Sequence, residues 1–366
     1  MNPRDRVLTL LGGGQPDRVP WFGDLDYWAT ALIARGERPP DFKLSADYLE
    51  WHRDLGVGFY LQGPEPFRGV PDGYTVREWR EGRDHFREIT TPKGTLRECW
   101  RDMPESHTIS PVEHLVKSAD DLPAYRFMHE HTTYQPHMEV LERRRGQIGG
   151  QGILVAYLPK SPLMQLVALD SGIMAVAEMF AEEKDELEAT LRVLAESRAP
   201  AARIAVDSIA EVLMIPENLS AEMIGPSWFN AYMRPWQEEW AAEIRRAGKH
   251  SCVHMDGTLR GLLREECSVG LTFLEALTPA PVGDVPVEEW DSYRDGHDVV
   301  LWGGLPGVYF SPTVTDREFD RHLRATLEVM RREPRYVLGV ADQVPPDVVE
   351  DRVRRVASMV EEFGRY

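Results

Sequence analysis

Cysteine is scarce in this chain, with three in 366 residues, at Cys99, Cys252 and Cys267, and none in CxxC spacing. Such a set supplies neither a disulfide framework nor a cysteine-rich zinc module, and it points to a reducing, cytoplasmic compartment. Long apolar runs are missing too. None approaches the ~20 residues that a membrane helix requires, and Met1-Asn2-Pro3-Arg4-Asp5-Arg6 lacks the apolar core of a signal peptide, so a soluble protein is expected. Positive charge is in deficit. With 42 Lys and Arg against 60 Asp and Glu, the formal net charge is −18. Nucleic acid and acidic lipid surfaces both need a basic face, and neither is expected as a partner. The chain shows no internal repeat and no low-complexity tract.

What is present is a rhythm of short apolar runs and long amphipathic stretches, the pattern of βα units and a parallel sheet. Eight strands are predicted, at 19–22, 57–61, 153–158, 211–215, 251–255, 271–275, 299–302 and 336–340. Between them lie helical stripes such as Phe319, Leu323, Leu327 and Met330, or Val349, Val353, Val356, Val360 and Phe363. Length alone fits one barrel with insertions or two ordinary domains. Eight βα units favour an α/β fold, a single (β/α)8 TIM barrel over residues 1–366. A long insertion, roughly 62–150, follows the second strand. Within it a hairpin is predicted, 84–90 and 95–101 flanking the turn Thr91-Pro92-Lys93-Gly94. Insertions after barrel strands sit over the active face, so this one is expected to be a lid or a homodimer contact. Residues 111–123 and the surroundings of His129 and His131 read as ordered loop, with both histidines at the surface.

Chemistry is expected where strands end. His254-Met255-Asp256-Gly257 closes the fifth strand, Glu275 the sixth and Asp342 the eighth. In a closed parallel sheet one imidazole and three carboxylates would gather at one mouth, as a metal or acid/base site. Plain structural roles stand beside this. Asp342 would cap a helix beginning at Pro346 or Asp347, Glu275 would pair with an arginine, and Asp284 would be the N-cap of the next helix. Tyr157 ends the third strand, Glu217 and Asn218 the fourth, and Trp302-Gly303-Gly304 the seventh. With Asp24 and Trp28 beyond the first strand, they are the candidate contacts for a small-molecule substrate, or else filling of the barrel mouth.

Several of these segments resemble the uroporphyrinogen decarboxylase superfamily, which includes the corrinoid and coenzyme M methyltransferases. Asn2-Pro3-Arg4-Asp5-Arg6-Val7 with Pro16-Asp17-Arg18-Val19-Pro20 is similar to the family's N-terminal helix and first strand. Ala247-Gly248-Lys249 leading into His254-Met255-Asp256-Gly257 resembles its fifth strand, where the methyltransferases read His-x-Cys-Gly. Val340-Ala341-Asp342-Gln343-Val344-Pro345-Pro346 resembles its eighth-strand turn, Gly-Cys-Gly-Ile-Pro-Pro in the methyltransferases. The match covers nearly the whole chain in order and spacing.

The resemblance implies a divalent metal, zinc foremost, held by His254, Asp256 and Asp342, with both family cysteines replaced by carboxylates. Such a site is harder than one built on thiolates, and it would polarise an oxygen rather than activate a thiol. It also implies a corrinoid as methyl donor or acceptor, free or carried by a corrinoid protein. His254, Glu275 and Tyr157 are then the catalytic candidates for a methyltransferase, or demethylase, of small methoxylated compounds. The decarboxylases carry Arg-Gln-Ala-Gly-Arg after the first strand and an aspartate after the second. Here those positions read Phe22-Gly23-Asp24-Leu25-Asp26-Tyr27-Trp28 and Leu61-Gln62-Gly63-Pro64-Glu65, acids where substrate carboxylates need guanidinium forks. A decarboxylase of a tetrapyrrole or small aromatic acid, and a non-catalytic ligand- or corrinoid-binding protein, are the alternatives.

Overall fold

A computed structural model describes residues 1–61 and 63–366; Gln62, the expected first residue of the insertion, lies outside the described residues. The chain opens with two barrel strands, β1 (Trp21–Phe22) and β2 (Phe59–Leu61). Six strands of the insertion follow: β3 (Phe67–Pro71), β4 (Thr75–Glu81), β5 (Asp84–Thr91), β6 (Gly94–Met103), β7 (Thr108–Glu113) and β8 (Thr132–Pro136). Barrel strands then resume as β9 (Gly152–Tyr157), β10 (Val212–Leu219), β11 (His250–Met255), β12 (Phe273–Leu277), β13 (Val300–Pro306) and β14 (Tyr336–Ala341).

The eight barrel strands form one parallel sheet in the order β1-β14-β13-β12-β11-β10-β9-β2. A parallel bridge between Phe22 and Gly58 joins its two ends, so the fold is an α/β (β/α)8 barrel. Strands β11 to β14 are buried on both faces almost throughout, which is why they read as continuous apolar runs instead of alternating ones. Inward side chains such as Phe22, Val155, Met214, Cys252, Phe273, Trp302 and Val337 fill the barrel interior. Outward ones pack under the helices. The expected stripe Phe319, Leu323, Leu327 and Met330 is buried along helix Asp316–Met330, which Thr315 and Glu318 close with a capping box.

The base of the barrel is stoppered. In helix Pro3–Leu11 the Asn2 side chain accepts from the Asp5 amide, Pro3 sits in the first turn, and Val7, Leu10 and Leu11 enter the barrel interior cluster. Arg4 pins it by donating to the Gly152 carbonyl at 3.0 Å and to Glu211 at 2.7 Å.

The predicted hairpin exists as β5 and β6, paired from Asp84↔Arg101 to Thr91↔Gly94. Pro92 and Lys93 make the turn, and Gly94 takes a φ of 146° that only glycine adopts without strain. It is the centre of a four-stranded meander, β4-β5-β6-β7, in a sheet separate from the barrel, while β3 pairs with β8. The expectation of loop over 111–123 is corrected: Pro111 lies in β7, and Pro123 stands in the first turn of helix Leu122–Glu130, where a missing N–H is harmless. His129 is not at the surface either. It rides that helix 8 % exposed, its ring edge-on to Tyr125, and burial pushes its pKa down to about 3. The insertion is tied to the rim by several contacts, among them three hydrogen bonds. Tyr27 donates to the Ser106 carbonyl, the Tyr157 amide to Pro64, and the His114 ring meets the Leu169 carbonyl.

Candidate active site

In-register pairing sets His254 on β11 directly beside Glu275 on β12, both turned into the C-terminal mouth. His254 Nδ1 lies 2.7 Å from Glu275 Oε2, and the Tyr60 hydroxyl donates to Glu275 Oε1 at 2.8 Å. His254 Nε2 faces Asp342 Oδ1 at 3.6 Å. Tyr60, Glu275 and His254 are buried, whereas the Asp342 side chain is 41 % exposed. The result is a hydrogen-bonded chain, tyrosine to carboxylate to imidazole, rising from the barrel interior, with the Asp342 carboxylate in ion-pair range on the solvent side of the mouth.

The charges follow from that burial. Desolvation alone would lower the His254 pKa, but the carboxylates of Glu275, Asp342 and Asp256 outweigh it and raise it to about 10. Asp342 is raised to about 6 by burial, with His254 opposing and Glu275 and Asp256 reinforcing the rise. Asp24 is raised to about 8, first by burial and then by Asp26 and Asp342. Burial also keeps the Tyr60 and Tyr157 hydroxyls protonated.

The structure thus brings together His254, Glu275 and Asp342, with Asp256 half-buried close by and Asp24 and Tyr157 within the same field. Asp342 caps no helix. The helix that follows begins at Glu350, with Val349 at its N-cap. Glu275 pairs with His254 and Tyr60, and no arginine reaches it among the described residues. Asp284 is not an N-cap; it accepts from the Leu259 and Arg260 amides and ties two loops.

Four candidate substrate contacts are placed elsewhere. Trp302 is fully buried in the barrel interior against Phe22, Tyr60 and Phe273, because the seventh strand points it inward below the rim. Trp28 packs on Trp51 at 4.5 Å within the helical layer. Glu217 is fully buried, accepting from the Ser161 amide and hydroxyl, and so anchors the loop after β9. Asn218 is exposed at a φ of 53°, a backbone bend and not a lining group. Tyr60 and Gln343, which donates to Asp24 Oδ2 at 2.8 Å, are site residues that sequence reasoning missed. The signal for Tyr60 was a polar-tipped side chain near the end of an inward-facing strand.

The donor set falls short of what a resident metal requires. His254 Nε2 and Asp342 form a pair, and Glu275 orients the imidazole as a ligand's partner would. A catalytic site usually needs three protein ligands, and no set of three or more His, Cys, Asp or Glu is arranged to hold a metal ion among the described residues. As they stand, the side chains fit acid/base chemistry rather than a metal cage.

A family model described as Uroporphyrinogen decarboxylase (URO-D) matches residues 100–363. No curated protein matches significantly. Among solved structures, the chain is similar to a methyltransferase from Methanosarcina mazei, with a TM-score of 0.64 and 15% identity over 99% of this chain and 99% of that one. At that identity the likeness is one of fold.

Proposed function

This chain belongs to the uroporphyrinogen decarboxylase family, and from that premise we propose that it is a methyltransferase moving a methyl group from a small methoxylated substrate to a corrinoid, free or carried by a partner protein. The observation carrying this reading is the buried chain Tyr60, Glu275 and His254, with the part-exposed Asp342 beside it, in a mouth where these acids have no arginine partner among the described residues. When bound, the corrinoid supplies the centre that takes up the methyl group. The protein's task is at the other end of the breaking bond. As the carbon–oxygen bond parts, the substrate oxygen keeps the electron pair and takes the proton from His254 Nε2. Glu275 holds the imidazolium through Nδ1, Tyr60 fixes Glu275, and Asp342 hands on the replacement proton from solvent. A positioned general acid of this kind contributes on the order of 100- to 10,000-fold.

Decarboxylation of a polyanionic macrocycle fits less well. Each substrate carboxylate left without a cation costs on the order of 1–3 kcal/mol, and the mouth offers Asp24, Asp256 and Asp342. Nearby cations are engaged: Lys160 donates to the Pro216 carbonyl and Arg198 to Gln165. One observation favours the decarboxylase, namely Asp24, a buried carboxyl kept protonated at neutral pH that could deliver a proton to carbon. The test incubates purified protein with reduced cobalamin and a panel of methoxylated compounds, and reads the methylcobalamin spectrum. Carbon dioxide from uroporphyrinogen, with no methyl transfer from any panel member, reverses the choice.

A further inference from the structure

The meander of the insertion carries a patch of charge, with Glu98 buried within it, on the same face that packs apolar side chains against the core. Its register sets Glu78, Arg87 and Glu98 in one cross-strand row and Arg80, His85 and Trp100 in the next. By strand alternation both rows share the face that carries Ile89 and Leu96. Those two are buried in the core beside helix Leu122–Glu130. Beyond them the same face stands off from the π-helical turn Leu166–Asp170, and a cavity of about 680 Å3 opens between, within the range of small-molecule sites. π-Helical turns concentrate at functional sites.

The charge on the walls is unequal. Arg80 and His85 both turn onto Asp102. Arg87 is the one cation between Glu78 and Glu98, and its Nε lies 2.6 Å from Glu98 Oε1. Asp170 has no salt bridge among the described residues, its Oδ2 taking the hydrogen bonds of Tyr125 and Gln165. Glu98 and Asp170 are each 6 % exposed, and each keeps one oxygen with no hydrogen-bond or ion-pair partner among the described residues. Two buried, under-partnered carboxylates line a cavity whose apolar walls are Trp100, Ile109 and Leu169. Carboxylates beside an indole are the means by which proteins hold alkylated ammonium groups.

We propose that this cavity binds a small organic cation, an amine or quaternary ammonium with apolar substituents, apart from the barrel mouth. The test is calorimetric titration of the whole protein with choline, its neutral isostere 3,3-dimethylbutanol and the anion 3,3-dimethylbutyrate. Choline should bind at least about tenfold more tightly than either comparison compound. Glu98→Gln and Trp100→Leu should each weaken it about tenfold or more, while His254→Ala leaves it unchanged. Asp170→Asn, with the Tyr125 contact retained, is the second carboxylate variant, and thermal melts identify any variant that has lost its fold. No choline binding, preference for the anion, or choline binding unaffected by the Glu98 and Trp100 variants overturns the proposal.

Discussion

The two ends of the barrel treat carboxylates in opposite ways. At the base, Glu211 accepts from Arg4, Arg145 and the Leu154 amide, and those partners hold its pKa below the usual value despite burial. At the mouth, Asp24 and Asp342 have no arginine partner among the described residues and are pushed up to about 8 and 6. One residue class thus does two jobs. Acids paired with arginine fasten the fold, and acids whose burial outweighs their weaker partners are held in a state that opposes folding and serves proton transfer.

The sharpest way to break this contrast is at His254. His254→Ala and Asp342→Asn are expected to lower kcat for methyl transfer to cobalamin by about 100-fold or more; His254→Ala also lowers the melting temperature, because it strands the buried Glu275 carboxylate, whereas the exposed Asp342→Asn leaves it nearly unchanged. Stoichiometric zinc in the purified protein, lost from both variants, would replace the proton-donor role with a Lewis acid. Next comes the pH dependence of stability. The folded pKa of Asp24 lies above its unfolded value of 3.8, so its contribution is fully present below that pH and is lost as the pH rises towards 8. Asp24→Asn keeps an acceptor for the Asp26 amide, requires Gln343 to turn its carbonyl oxygen to the new NH2, and removes that loss. The variant should unfold less readily than the parent in urea at pH 8, the gap narrowing by up to roughly 1.4 kcal/mol per pH unit as the pH is lowered. Glu211 must show the reverse sign. Its depressed pKa gives stability present above 4.5 and lost on acidification, and Glu211→Gln should cost roughly 1–2 kcal/mol at pH 7 with kcat unchanged. The smallest effect belongs to Asn218. Asn218→Gly should alter neither KM nor stability by more than about 0.5 kcal/mol, because an exposed left-handed position suits glycine. A KM rise there would put the fourth strand end back at the substrate.

Much of this was legible in the sequence for a physical reason. Barrel strands buried on both faces leave continuous apolar runs, and the residue that ends each run must stand at the rim, so His254, Glu275 and Asp342 could be read from chain order. The meander was half legible. The turn at Pro92 and Lys93 marks β5 and β6, but β4 is exposed along most of its length and shows no apolar alternation. Tryptophans misled, since Trp28 and Trp302 look the same in sequence whether they line a pocket or fill a core, and only packing against Trp51 or Phe273 decides. Tyr60 was hidden by its own apolar run, its role fixed by a hydrogen bond to a residue 215 positions away.

The helix Pro3–Leu11 leaves the barrel a vessel with a single opening, since Val7, Leu10 and Leu11 occupy its floor. Two reactants sharing one doorway cannot enter independently. On the proposed reaction, the small methoxylated compound must be seated before the bulky corrinoid covers the opening, and the demethylated product waits for the corrinoid to leave. The kinetics should therefore be of compulsory order, with excess corrinoid inhibiting competitively against the small substrate.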